Sequence, residues 1–197
     1  MTKLIFLFIF AWLAGSVNFS ILVFKLTGRD DPRGRGSKNP GATNVYRQAG
    51  LKWAAAVLLL DMVRAMAVAA LAVIWLLPAQ IPWVGLGLIL GNRFPCFHGF
   101  RGGKGVANYL GFCLLLVPVW AGIGAICWGI VFLIWRIPFV ASFSLVLCLS
   151  TGMILRPEAG AWGIIGTVVT TVFIISWHHQ NMSTHWGKAL GCRRERP

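Results

Sequence analysis

Acidic residues are nearly missing from this sequence. Five Asp and Glu stand against eighteen Lys and Arg, and charged residues make up only 12% of the 197. A soluble domain carries about 25% charged residues, so a water-exposed globular surface is excluded. Carboxylate pairs for acid–base chemistry are absent too. The five cysteines (Cys96, Cys113, Cys127, Cys148 and Cys192) show neither disulfide nor metal-ligand spacing, and four lie in apolar runs. They read as small buried hydrophobes, with no zinc site or disulfide framework. No carboxylate or third His is suitably spaced from the His178-His179 pair to hold a metal, and no cofactor is expected. No Gly-x-Ser-x-Gly elbow occurs and no Ser-His-Asp order can be assembled. Internal repeats, low-complexity tracts and a second domain are also missing. An enzyme built on this sequence works by positioning and electrostatics rather than by a protein nucleophile.

Apolar residues take the vacated share. The sequence is 57% hydrophobic, with thirteen Phe and ten Trp and a mean hydropathy of +0.74. Apolar runs fall at about 4–26, 53–77, 81–97, 106–117, 119–135, 137–155 and 160–177. The first two are long enough to cross a hydrocarbon core of about 30 Å. Pro118 divides 106–135 into two tilted or incomplete helices. The expected fold is an all-α, polytopic membrane bundle of about seven transmembrane helices, a single domain over 1–197; five passes are the rival count. The first run is too long for a signal peptide and reads as a retained helix.

The net charge of +13 would point to nucleic acid in a soluble protein. Its distribution says otherwise. Lys25, Arg29, Arg33, Arg35, Lys38, Arg47 and Lys52 lie in or beside the 27–52 segment. Arg101 and Lys104 lie in 98–105, Arg136 in a third turn, and Lys188, Arg193, Arg194 and Arg196 in the tail. Only Lys3 and Arg156 are left for the opposite side. That asymmetry follows the positive-inside rule. It places the N-terminus outside, the basic loops and C-terminus in the cytoplasm, and makes membrane lipid, not nucleic acid, the partner.

Three constellations could carry chemistry. In Gly36–Arg47, the Gly and Pro residues predict a loop over 27–52 rather than a helix. Small residues there let backbone N–H groups converge on an anion. Ser37 and Thr43 add hydroxyls, Asn39 and Asn44 add amides, Gly41 and Ala42 add bare backbone, and Arg47 can clamp oxygens. The alternative is a solvated basic loop. In Gly91–Gly105, a Gly102-Gly103-Lys104-Gly105 turn opens the next apolar helix with backbone donors and a cation. It is not a nucleotide P-loop, since His98 and Gly105 break the spacing. In Trp177–Asn181, His178 and Asn181 share a helix face and could position a polar substrate or handle a proton; interfacial histidines without chemistry are the alternative. Asp61, inside an apolar run with Arg64 three residues on, is either functional or a structural ion pair.

Gly15-Ser16, Asp31-Pro32-Arg33 through Gly36-Ser37-Lys38-Asn39-Pro40-Gly41-Ala42-Thr43-Asn44-Val45 to Arg47, Gly102-Gly103-Lys104-Gly105-Val106-Ala107 and His178-His179-Gln180-Asn181 occur in this order. Together they resemble the bacterial acyl-phosphate:glycerol-3-phosphate acyltransferases, the PlsY-type family, over nearly the whole chain. The His-x4-Asp motif of other glycerolipid acyltransferases is missing.

The resemblance implies a seven-helix enzyme of the bacterial inner membrane with a cytoplasmic active face. It would acylate the 1-hydroxyl of glycerol-3-phosphate from an acyl-phosphate made by a separate enzyme, giving lysophosphatidic acid and phosphate for phospholipid synthesis. By this resemblance Ser37–Asn44 cradle the acyl-phosphate, Arg47 and Lys104 hold phosphates, His178 and Asn181 orient glycerol-3-phosphate, and Asn92, Gly102 and Gly103 line the substrate site. The leaving phosphate, not a protein base, takes the proton, and the acyl chain lies in a lipid-facing groove between helices.

Departures fall mainly on the acceptor side. Asn92 stands where the family usually has His, Ala141 where it has Ser (with Ser142 and Ser144 close by), and Trp177 where a basic residue is common. Arg101 replaces Lys, and a Glu expected near Ala189 and Leu190 is absent. A member that binds or transports a phosphorylated solute without catalysis is the alternative function.

Overall fold

The computed structural model describes residues 1–179 and 181–183. Among these there are helices and turns but no strand. The helices are α1 Thr2–Ser16, α2 Phe19–Leu26, α3 Ala42–Ala49, α4 Leu51–Trp75, α5 Ile81–Arg93, α6 Val106–Leu116, α7 Pro118–Trp135, α8 Pro138–Ile154 and α9 Gly160–Ser176. Thr2–Leu26, Leu51–Trp75, Pro118–Trp135 and Pro157–Ser183 are long and apolar enough to cross a membrane, and α6 and α8 are shorter apolar helices. The outer face of α7 exposes Ile123, Ile126, Ile130 and Leu133; such a stripe suits lipid, where exposed apolar side chains cost nothing.

Each apolar run holds a helix, and Pro118 and Pro138 sit at the first positions of α7 and α8, where a missing N–H leaves no unpaired donor. Two boundaries differ from the sequence expectation. The first run is broken at Val17–Asn18, where the Asn18 side chain accepts from the Ile21 N–H and starts α2 afresh. The 27–52 segment is not all loop, for it contains the eight-residue helix α3. Gly41 and Gly50 bracket that helix, and its buried Asn44 and Val45 pack inward, so tertiary contact outweighs the turn-forming composition.

A helix break at membrane depth leaves backbone groups that lipid cannot satisfy. Arg64 of α4 supplies the missing donor. Its guanidinium donates to the Val17 carbonyl, to Asp61 Oδ1 at 2.7 Å and to Asn108 Oδ1 of α6, and it lies 4.9 Å from the Phe19 ring centre. The Asp61–Arg64 pair therefore braces α1, α2, α4 and α6 together. Farther along, Tyr109, Ser150 and Thr171 form a hydroxyl chain of 3.1 and 2.6 Å from α6 through α8 to α9.

The α1–α5 crossing is closer still. A Cβ on Gly91 would lie 2.0 Å from the Trp12 carbonyl oxygen, and one on Gly15 would lie 2.2 Å from the Leu88 oxygen. Small residues of this kind let two backbones touch. By contrast, a Cβ on Gly122 of α7 would meet nothing within 4 Å. Gly91→Ala is accordingly expected to destabilise the protein by about 1–3 kcal/mol or more through overpacking. Gly122→Ala should be neutral or stabilising, since Ala is the better helix former by about 1 kcal/mol. Thermal unfolding in detergent checks both, and an unshifted Tm for Gly91→Ala would contradict the close crossing.

Candidate active site

The first loop is organised by Asn44. From the buried face of α3 its Oδ1 accepts from the Ser37 N–H at 3.0 Å, and its Nδ2 donates to the Pro32 and Arg35 carbonyls at 2.9 and 3.2 Å. Gln48, one turn on, donates to the same two carbonyls. A Cβ on Gly36, whose φ is +64°, would sit 2.4 Å from Asn44 Oδ1, so only glycine passes there. Asn18 closes the other flank with a 3.4 Å bond to the Pro40 carbonyl. Asn44 thus shapes the loop, while Ser37, Thr43 and Arg47 remain exposed and Asn39, Gly41 and Ala42 are half-buried at the start of α3. No hydrogen bond or ion pair joins the Arg47 side chain to any other described residue.

The second loop is laid back along the end of α5. Gly102 and Gly103 donate to the Arg93 and Asn92 carbonyls at 3.0 and 2.9 Å. A Cβ on Gly102 would be 1.9 Å from the Asn92 oxygen, and one on Gly103 would be 2.7 Å from Asn92 Oδ1 and 3.4 Å from the Pro40 oxygen. The paired glycines therefore answer a packing demand, and buried Asn92 is the residue they pack against. Arg33 staples the two loops. It is held by Asp31 at 2.6 Å and donates from Nη1 to the His98 and Arg101 carbonyls at 2.7 and 3.0 Å. The Arg33 guanidinium lowers the pKa of Asp31, and the Asp31 carboxylate raises that of Arg33.

Lys104 sits at the convergence. Gly105, at φ +82°, turns the chain into α6, which rises only about 16 Å at 1.5 Å per residue. The Lys104 Nζ is buried and has no hydrogen-bond partner among the described residues. Burial and the nearby Arg93 guanidinium pull its pKa down to about 8.

The third segment follows α9. His178 lies in the turn just beyond Ser176 rather than on the helix proper, is buried, and stacks edge-on against Phe143 of α8 at 5.3 Å. Its Nδ1 is 2.8 Å from the Ile174 carbonyl. A carbonyl only accepts, so Nδ1 carries the proton and Nε2 is left as a bare acceptor. Lys104 is close enough to act on this ring through space. The Asn181 N–H donates to the His178 carbonyl at 2.9 Å, which keeps the two residues in one turn, and Asn181 is half-buried. Gln180, the tail cations and the Ala189–Leu190 region lie outside the described residues.

Charge bookkeeping isolates the centre. Asp30, Asp31, Asp61 and Glu158 each pair with a different arginine: Arg35, Arg33, Arg64 and Arg156. Among the described residues no carboxylate is left for Lys104, nor for Arg93, whose Nε is likewise buried without a partner. Arg93, Arg33 and Asn18 were not picked out as site or loop-ordering residues from the sequence. Arg93 was legible in principle, as a lone cation at the end of an apolar helix; Arg33 and Asn18 act through backbone carbonyls that no motif displays.

Ala141 is fully buried on α8, and Ser142 and Ser144 bond to their own helix at Pro138 and Ala141. Each hydroxyl thus gives its one donor to its own helix. No group of three or more His, Cys, Asp or Glu gathers among the described residues. Chemically, the assembly is a buried unpaired ammonium, a glycine-lined turn, an imidazole acceptor and a polar loop at one end of the bundle.

A family model described as glycerol-3-phosphate acyltransferase matches residues 5–187. A glycerol-3-phosphate acyltransferase of Pseudomonas fluorescens is 39% identical over 179 residues, covering 87% of this chain and 89% of the relative. That of Methylobacillus flagellatus is 39% identical, covering 87% of each. Among solved structures, PlsY, an integral membrane glycerol 3-phosphate acyltransferase, in its glycerol 3-phosphate form superposes with a TM-score of 0.86 at 32% identity, over 99% of this chain and 96% of that one. Its lysophosphatidic acid form gives 0.84 at the same identity, over 98% and 95%. The chain belongs to the glycerol-3-phosphate acyltransferase family.

Proposed function

We propose that the protein transfers a fatty acyl group from an acyl-phosphate to the 1-hydroxyl of glycerol-3-phosphate, releasing lysophosphatidic acid and phosphate. The observation that carries this reading is Lys104: a recessed ammonium without a counter-ion among the described residues, beside a histidine acceptor. Both substrates are phosphate anions, and a solved relative is known in forms with glycerol 3-phosphate and with the lysophosphatidic acid product. The whole chain acts as one membrane-embedded domain of seven passes in the bacterial inner membrane. Its N-terminus lies outside, and its site faces the cytoplasm, where an acyl-phosphate-forming enzyme supplies the donor.

The chemistry needs little from the protein beyond placement. An acyl-phosphate is a mixed anhydride with a good leaving group. The acceptor hydroxyl oxygen attacks the acyl carbon, the bond from that carbon to the phosphate oxygen breaks, and the departing phosphate takes the hydroxyl proton. Lys104 holds phosphate charge as it develops, which a low-dielectric setting strengthens. His178, with Nε2 free to accept, orients the hydroxyl donor, and Asn181 in the same turn supplies amide groups to the glycerol-3-phosphate. Ser37, Asn39, Gly41, Ala42 and Thr43 form the acyl-phosphate cradle on a loop shaped by Asn44, Arg47 reaches it from the exposed face of α3, and Asn92 supports the turn through Gly102 and Gly103. The acyl chain leaves along a cavity of about 330 Å³ between α1 and α5, lined by Phe8, Ile9, Trp12, Leu90 and Phe94.

Purified protein supplied with palmitoyl-phosphate should release phosphate only when glycerol-3-phosphate is present. Lys104→Ala should lower that rate by about 100-fold or more, as removal of one charge-stabilising donor does. Acceptor-independent binding or flux of the phosphorylated solute, with no ester formed, would favour the transport alternative instead.

Lys104 also sets a pH dependence. Its amine is protonated below about 8 and loses its charge above it. The kcat/KM, which reports the free enzyme, is therefore expected to fall as pH rises through about 8. In Lys104→Arg, whatever its absolute rate, the fall should disappear because a guanidinium stays charged. A profile flat to about pH 10 in the parent protein would contradict an ammonium role.

A further inference from the structure

Arg93 is the second cation at this centre, and nothing above gives it work. It ends α5, and its guanidinium carbon lies 5.6 Å from the Phe94 ring centre and 5.7 Å from that of Trp177. These two rings meet edge to face at 5.9 Å, and Trp177 stacks on Phe173 of α9 at 5.5 Å. The arginine is thus held by an aromatic wall built across α5 and α9. Contact with ring faces leaves the N–H edge of a guanidinium unused, and Arg93 Nε is buried without a hydrogen-bond partner.

A helix C-terminus favours a cation, which accounts for an Arg at the end of α5. It does not account for half-burying that Arg near a second cation with a buried nitrogen, Lys104, on which its charge acts. Two like charges held close together repel, the more so where they are partly buried, and the four described carboxylates are all paired elsewhere. What reconciles the arrangement is an anion that arrives from outside and contacts both. Position 177, where the family resemblance places a basic residue, is occupied here by the ring that stacks on Arg93.

We infer that Arg93 is a phosphate-binding residue of this site, delivering from α5 the charge that a basic residue at position 177 would otherwise deliver, with Trp177 as its platform. A guanidinium fork can take two phosphate oxygens side by side while Lys104 meets a third. The inference rests on the acyltransferase reading for its substrates, since the phosphate could be that of the acyl-phosphate or that of glycerol-3-phosphate.

The test uses the full chain purified in detergent, with variants Arg93→Gln, Arg93→Lys and the double Arg93→Gln/Trp177→Arg. Binding of inorganic phosphate is measured by calorimetry, and KM and kcat by phosphate release. Arg93→Gln should weaken phosphate binding by roughly tenfold or more, as loss of a charge-assisted pair does, and raise KM for a substrate by a similar factor with a smaller change in kcat. The substrate whose KM moves identifies the phosphate. Arg93→Lys should recover part of the loss, and the double variant more. Phosphate affinity and both KM values within about twofold of the parent would overturn the inference, as would a fall in kcat alone that the double variant does not repair. Were the parent protein to bind phosphate through Arg93 but transfer no acyl group, the acyltransferase reading would fail while Arg93 kept its role. An active parent with an unaffected Arg93→Gln would remove the Arg93 role alone.

Discussion

The structure turns on the charge of Lys104. The Lys104 ammonium nitrogen is buried without a hydrogen-bond partner among the described residues, and removing an ammonium from water costs several kcal/mol unless another group repays it. No described carboxylate does so, because the four acids are committed to Arg33, Arg35, Arg64 and Arg156. A phosphate about 4 Å away would gain about 4 kcal/mol per charge pair at an effective dielectric constant near 20. The site is thus unsatisfied in its own right and is satisfied by the chemistry we propose for it.

Holding a cation in that state requires a stiff frame, and the frame can be followed outward from the charge. The turn bearing Lys104 lies against α5 because Gly102 and Gly103 admit the Asn92 backbone and side chain so closely. Arg33 carries the first loop to the second, and Asn18 ties the start of α2 to Pro40. Asn108, one turn into α6 from Lys104, is tied through Arg64 to the Val17 break and to Asp61. A reaction that relies on alignment of two anions can draw much of its rate from such rigidity, since effective molarities of about 10⁵ M and above need reacting atoms placed to within fractions of an ångström.

Much of the helical order was legible in the sequence, because runs free of charge have few alternatives at membrane depth. Pro118 marked the α6–α7 boundary for the same plain reason that proline lacks an N–H. The α1–α2 break was overlooked because it lies in an unbroken apolar run; Asn18, a favoured N-cap residue, was its one local signal, and the Arg64 that satisfies the Val17 carbonyl lies nearly fifty residues away. α3 was missed because it is short, polar and set among Gly and Pro; its stability comes from Asn44 and Val45 packing inward. At the site, residue types were readable but their jobs were less so. Asn44, Gly102 and Gly103 look in sequence like anion-binding groups, and their geometry is that of residues shaping the loops that would bind. Arg93 and Trp177 became a pair only once α5 and α9 were brought side by side.

The most direct measurement is the thermal stability of Lys104→Leu and of the parent protein, each with and without inorganic phosphate. If Lys104 is a charge without a counter-ion, Lys104→Leu should melt higher than the parent in phosphate-free buffer, since it removes a buried cation that costs stability. Added phosphate should then raise the Tm of the parent, as any ligand of the folded state does, and raise that of the variant clearly less, since only Arg93 is left to hold it. A Lys104→Leu protein less stable than its parent without phosphate, or equally stabilised by it, would show that the protein itself satisfies Lys104 and would contradict the account.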